Sequence, residues 1–177
     1  NVIGVRKSFI DVVSISKKIL NKHGYNVKDI NLDASDFGVS QSRKRHFLIA
    51  SQYSLNDFDQ QINRLKLDKI PTGRIFDYMD RSYEGELDGY IKHSELSIDD
   101  IQRINQLFDN NSYILPNHER PDCHQDGHTY PSVYGRINPE EISSTITSGF
   151  YSPGRGKYIH PYERRALNAR EASHIQG

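Results

Sequence analysis

The densest charge in the first half of the chain is the run Gln41-Ser42-Arg43-Lys44-Arg45. Arg43 and Arg45 lie two residues apart, so in an extended segment their side chains point to the same side. Each guanidinium is a planar fork of donors. Two of them on one face suit a phosphate, a carboxylate, or a carbonyl oxygen that must be held in plane. An isolated Arg-x-Arg has a plainer reading as well, the solvated and charged start of a strand. A second cluster gathers His118, Cys123, His124 and His128 within eleven residues, which raises a zinc site. Cys123 and His124 are adjacent, however, and adjacent residues seldom both reach one ion. The spacing favours a polar loop.

The elements that must position these groups follow from periodicity. Residues 8–23 read as an amphipathic helix: Ser8 and Asp11 have capping-box spacing, and Phe9, Val12, Val13, Ile19 and Leu20 approximate a 3.6-residue stripe. Gly24 stands where a helix-ending glycine belongs. Residues 25–32 alternate in the manner of a strand, and His46-Phe47-Leu48-Ile49-Ala50 is a short apolar run of buried-strand type. The arginine pair therefore falls between two expected strands. Beyond residues 52–56 the texture changes. Helices are expected at 56–67 and at 97–108, the second opened by Ser97 and Asp100, and residues 109–131 read as loop. From Arg164 the helical pattern returns.

Composition sets outer limits. The chain has 177 residues, 23 Lys+Arg against 23 Asp+Glu and no net charge, which argues against a purely electrostatic nucleic-acid binder while leaving room for a locally basic surface. Apolar residues make up 35% and mean hydropathy is −0.74, so much of the chain is expected to be loop or polar surface. The single cysteine excludes an internal disulfide framework and fits a reducing cytoplasm, and no stretch approaches the length of a membrane span. The first residue is Asn, and the last, His174-Ile175-Gln176-Gly177, stop inside a helical pattern. Both ends read as cut from a longer chain.

Longer motifs narrow the reading. Residues 31–50, including Asp36-Phe37-Gly38-Val39-Ser40-Gln41-Ser42-Arg43-Lys44-Arg45, resemble a segment of the cytosine-5 DNA methyltransferases, with Ser40 where that family usually has Pro. Thr129-Tyr130-Pro131-Ser132-Val133-Tyr134-Gly135-Arg136, Ser144-Thr145-Ile146-Thr147 and Gly154-Arg155-Gly156-Lys157-Tyr158-Ile159-His160-Pro161 are similar to the end of the family's target-recognition domain. Residues 165–177 resemble its next motif, with Asn168, Ala169 and His174 in place of Thr, Pro and Arg, and Asn1-Val2 match the end of its Glu-Asn-Val motif.

The resemblance implies an α/β fold. Residues 1–52 would be the C-terminal part of a class I S-adenosylmethionine-dependent methyltransferase sheet domain, 53–162 a small irregular α+β target-recognition domain, and 163–177 a helix returning to the catalytic domain. It implies double-stranded DNA as partner and S-adenosyl-L-methionine as cofactor, the latter bound outside this chain because the glycine-rich cofactor loop is absent. In that family a cysteine thiolate attacks C6 of a cytosine flipped from the duplex, which pushes negative charge toward O2 and N3. Arg45 would hold O2, Arg43 would support the catalytic loop or a phosphate, Gln41 would shape the loop ahead of them, and Asn1 would position the preceding Glu. Cys123 does not lie in the family's nucleophile motif, so the chain alone is expected to be inactive.

For DNA the candidates are Arg136, Arg155 and Lys157 at the bases, Thr145 and Thr147 against the backbone beside the target, and Arg165 and Arg170 in the last motif. Arg136 has a rival reading as a buried structural arginine, and residues 154–156 read as a mobile loop. Two alternatives stay open: a non-catalytic DNA-binding module, and a related enzyme acting on transfer RNA. The long recognition segment favours DNA.

Overall fold

The computed structural model describes residues 11–82, 92–125 and 132–177. Asn1, Ser8, His128 and the Thr129-Tyr130-Pro131 start of the second motif lie outside the described residues. The chain forms two compact units, Asn1–Gly38 with Arg43–Lys69, and Val39–Ser42 with Ile70–Gly177.

The first unit is a helix followed by a hairpin. Helix α1 (Val12–Lys22) is capped by Asp11, whose carboxylate accepts from the Ser14 amide at 3.1 Å. The sequence pointed to Ser8 as the cap, but Asp11 closes the first turn instead, because its short carboxylate reaches an amide three residues on. Gly24 ends the element with φ +80°, the left-handed backbone expected of it. Strands β1 (Asn26–Asp33) and β2 (Lys44–Ser51) pair antiparallel, with Leu32 opposite Arg45 and Asp33 opposite Lys44. Asp33 governs their connection: its Oδ1 accepts from the amides of both Ser35 and Arg43, and a 3-10 turn, Ala34–Phe37, ends at Gly38 with φ +83°. Helix α2 (Phe58–Arg64) is shorter than the expected 56–67. Of the residues meant to extend it, Leu65 and Leu67 are exposed, so no burial favours prolonging the helix.

The second unit holds the larger core. Helix α3 (Thr72–Ser82) was not read from the sequence. Its first amides find acceptors on a distant loop: Thr72 N and Oγ1 both donate to Glu141 O, and Gly73 N donates to Pro139 O at 2.8 Å. A side chain at Gly73 would meet Pro139 O at 2.9 Å, so the close approach needs glycine. Helix α4 (Ile98–Asp109) starts at Ser97 as expected, the Ser97 hydroxyl accepting from Asp100 N. Helix α5 (Ala169–Gln176) opens with a full capping box between Asn168 and Glu171. Asn168 therefore does what the family's Thr would do at that position.

Two apolar clusters fill this unit. Phe76, Ile137, Ile146, Tyr158, Leu167, Ala172 and Ile175 form one, and Ile104, Leu107, Leu115, Val133, Tyr134 and Ile159 the other. Ile159, fully buried, is where two isolated bridges meet. It bridges Arg136 in parallel and Ala166 in antiparallel, and its own amide donates to Gly135 O. The architecture is thus α/β in content, with one two-stranded sheet and otherwise isolated bridges among the described residues. Among the described residues no helix is long and apolar enough to cross a membrane.

Asn168→Ala should destabilise the protein by about 1 kcal/mol through loss of the cap, while Asn168→Thr should stay within about 0.5 kcal/mol. Urea unfolding of the three proteins checks this, and equal losses for both variants would remove the cap from the account.

Candidate nucleic-acid interface and active site

In the first unit, β2 carries Arg43, Arg45 and Phe47 at successive alternate positions, counting the residue just before the strand. These three side chains line one cavity of about 230 Å³ with Leu32, Ala34 and Phe37. Both arginines are half-buried. The Arg43 amide is anchored on Asp33, and Arg45 Nη1 donates to the neighbouring Lys44 carbonyl at 2.8 Å. Neither guanidinium is paired with a carboxylate among the described residues. That is unusual for partly buried cations against an apolar wall, since structural arginines are generally matched.

Residues 39–42 leave this hairpin and join the second unit. Gln41, 1% exposed, forms a parallel bridge with Ser143, and its Oε1 accepts from the Ile146 amide at 2.9 Å. Ser42 N donates to Ser143 O, Ser143 N donates to Ser40 O, and the Thr145 hydroxyl donates to Ser42 O at 2.8 Å. Ser40, at the position where the resembled motif carries Pro, is buried and donates its hydroxyl to Ile70 O. Thr147 is bound inward too, its Oγ1 lying 2.9 Å from the Tyr158 hydroxyl. The hydroxyls of Thr145 and Thr147 both face the protein.

The segment that follows is closely packed. Within the expected 154–156 loop, Pro153–Arg155 form a 3-10 turn. Tyr134 N donates to Pro153 O and Gly135 N to Gly156 O, which ties the turn to the neighbouring 132–135 turn. A Cβ at Gly154 would come 2.8 Å from the Tyr134 hydroxyl, and one at Gly156 would come 2.5 Å from the Tyr158 ring, so both flanks of Arg155 are packed. Arg155 itself is exposed, near the Tyr151 ring. Lys157 is half-buried and paired with Glu141 at 3.5 Å, beside a cavity of about 420 Å³ lined also by Ser42, Ser144 and Thr145.

The remaining arginines are bound into the fold. Arg136 donates through Nε and Nη2 to Pro161 O and lies over Phe108, 4.0 Å from the ring centre, in keeping with its structural reading. Arg170 donates to Met79 O on α3 at 3.3 Å. Arg165 forms a two-pronged pair with buried Glu171, at 2.8 and 2.6 Å, and its Nε donates to Glu163 at 2.7 Å. Burial works against the Arg165 charge, but the bonds to Glu171 and Glu163 outweigh it and raise its pKa. Sequence reasoning placed Arg165 at DNA and missed Glu171, although the capping-box spacing from Asn168 was visible. Cys123 is exposed, 3.2 Å from His124 Nδ1, and no group of three potential metal ligands gathers among the described residues.

The chain belongs to the C-5 cytosine-specific DNA methylase family, which it matches over residues 1–177. Type II methyltransferase M1.BsuMI of Bacillus subtilis (strain 168) is 37% identical over 162 residues, covering 90% of this chain and 37% of the relative. Type II methylase M.HgiDII of Herpetosiphon aurantiacus is 26% identical over 162 residues, covering 89% of this chain and 46% of its own length. The chain thus spans less than half of the curated relatives it matches. A crystal structure of a DNA modification methyltransferase encoded within an E. coli prophage superimposes with a TM-score of 0.48 at 19% identity, over 93% of this chain and 54% of that one.

Arg165→Met leaves the buried Glu171 carboxylate without its two-pronged partner. It should cost about 3–5 kcal/mol in urea unfolding, the scale for breaking one side of a buried pair. A variant of unchanged stability but weakened DNA binding would instead make Arg165 a DNA contact. Glu163 gives a pH test. The Arg165 hydrogen bond holds its carboxyl below the usual 4.5, against the opposing effect of burial. A lowered folded pKa adds stability that is complete above pH 4.5 and is lost as pH falls through the folded value. Melting temperature should therefore fall less steeply below pH 4.5 in Glu163→Gln than in the wild type.

Proposed function

We propose that this chain is the C-terminal part of a class I methyltransferase catalytic domain together with its target-recognition domain, from an enzyme that methylates cytosine at C5 in double-stranded DNA within one short sequence. The observation that carries this reading is the pair of half-buried guanidiniums, Arg43 and Arg45, lining one cavity without a carboxylate partner among the described residues. Cations left in that state are matched by a ligand with electron-rich oxygens. Attack at C6 of a cytosine drives charge onto O2, and a fixed guanidinium there stabilises the transition state more than the ground state. Arg45 takes that role. Arg43, with its amide locked to Asp33, supports the catalytic loop or a neighbouring phosphate.

In the recognition domain Arg155 and Lys157 face the DNA, with Arg155 displayed on its packed turn and Lys157 freed from Glu141 by a phosphate. Thr145 and Thr147 shape the backbone that lies beside the target base. Arg136 and Arg165 hold the frame on which these residues sit, and Asn1 would position the glutamate that precedes it. S-adenosyl-L-methionine supplies the methyl group. The cavity beside Arg43 and Arg45 does not suit it, because a sulfonium cation would meet two guanidiniums and no carboxylate there. The donor is held by other parts of the enzyme.

Bisulfite sequencing of plasmid DNA from a methylation-deficient host expressing the full-length gene should show protected cytosines in one recurring motif. Arg45→Ala should lower methylation by about a hundredfold or more while DNA affinity stays within a few-fold. Absence of protection from a soluble wild-type protein would overturn the proposal.

A further inference from the structure

We infer that Gln41 is a positioning residue for the Thr145–Thr147 loop, and that through it the loop and the strip leading into Arg43 are fixed in one register. The inference rests on the methyltransferase reading above and adds a role that motif order does not reveal.

The geometry is specific. The Gln41 side chain is buried to 1% exposure, and its amide oxygen accepts from the Ile146 backbone amide across 105 residues of sequence. Ile146 is itself in the apolar core, 3% exposed. Without Gln41 its N–H would have no acceptor among the described residues, and a buried orphan amide is costly. Three further bonds flank this one: Ser143 N to Ser40 O, Ser42 N to Ser143 O, and Thr145 Oγ1 to Ser42 O. The main-chain pairing of the two strips stops at Ser143. From Thr145 onward side chains carry it, Thr145 from one strip and Gln41 from the other.

Nothing shorter or apolar can replace Gln41 there. Asn lacks a methylene, Met offers no acceptor, and Glu would bring a charge into a site without a cation to match it. The other half of the amide is informative as well. Gln41 Nε2 is buried and has no partner among the described residues. A glutamine kept only to fill space would not hold two donors unmatched in the interior, so the oxygen is the end that matters. Arg43 is the residue that follows Ser42, and both Ser42 backbone groups are held by the 143–145 strip. A loop displaced by recognition of a wrong sequence therefore pulls directly on the backbone that carries the arginine pair.

The test uses the full-length protein and follows single-turnover methylation of cognate DNA, with the burst amplitude giving the fraction of active enzyme. Gln41→Met should lower the single-turnover rate constant by about tenfold or more. Equilibrium DNA affinity should change less than about threefold. A role in stability alone would lower the burst amplitude and leave the rate constant of the surviving enzyme at the wild-type value; that outcome overturns the inference. Thr145→Val removes the companion bond at a half-buried, isosteric site, and supplies the test should Gln41→Met not fold. It too should slow the rate constant, and Thr145→Ser should restore it. The double variant should be less impaired than the product of the two single effects, as expected of residues acting on one register. Full additivity, or a Thr145→Val effect confined to DNA affinity, counts against it. A wild-type enzyme that methylates no cytosine sinks the functional reading instead, whereas an active wild type with an equally fast Gln41→Met sinks this inference alone.

Discussion

Glu171 is a carboxylate kept at 5% exposure, and much of the second unit is arranged around its two oxygens. One oxygen accepts from the Asn168 amide and from Arg165 Nη1, and the other takes Arg165 Nη2 with His160 Nε2 at 3.5 Å. Each of these partners has a second task. Asn168 starts α5, and Arg165 draws the turn before it against Ile159 through the Ala166 bridge. His160 accepts on Nδ1 from the amides of Tyr162 and Glu163 and stands edge-on to Phe76 of α3. Helix, turn and the bridge at Ile159 are thereby referred to a single buried carboxylate. A charge of this kind is more often a device for fixing one arrangement than a source of net stability, because desolvation consumes most of the Coulombic gain.

The same economy of partners separates the cations into two sets. Arg136, Arg164 and Arg165 are bound within the fold, by Pro161 O and Phe108, by Asn105 and Asp109, and by Glu163 and Glu171 respectively. Arg43 and Arg45 have no acidic partner among the described residues, and Arg155 stands exposed on a packed turn. A chain with no net charge can still present cations in this way, because net charge says nothing of how individual charges are paired.

Much of this was legible in the sequence. Period-two alternation placed β1, a short apolar run placed β2, and the Arg-x-Arg spacing placed two guanidiniums on one side of the hairpin. Gly24 and Ser97 marked helix boundaries through local chemistry alone. What was not legible depends on distant partners. Helix α3 begins with glycine at its second residue, a poor helix former, and its first amides rely on carbonyls at Pro139 and Glu141. Arg165 reads as a nucleic-acid contact until Glu171 and Glu163 are seen around it. The short α2 shows the converse: a helical pattern persisted in sequence beyond the point where anything was present to bury Leu65 and Leu67.

The four residues Val39–Ser42 belong with the second unit, although the chain on either side of them belongs with the first. A single continuous stretch, such as residues 70–177, would omit them. The Ile146 amide would lose its acceptor and the 143–145 strip its pairing edge. The second unit is therefore not separable at one pair of junctions: a piece begun at residue 70 keeps this loop paired only if a strip equivalent to Val39–Ser42 is supplied with it.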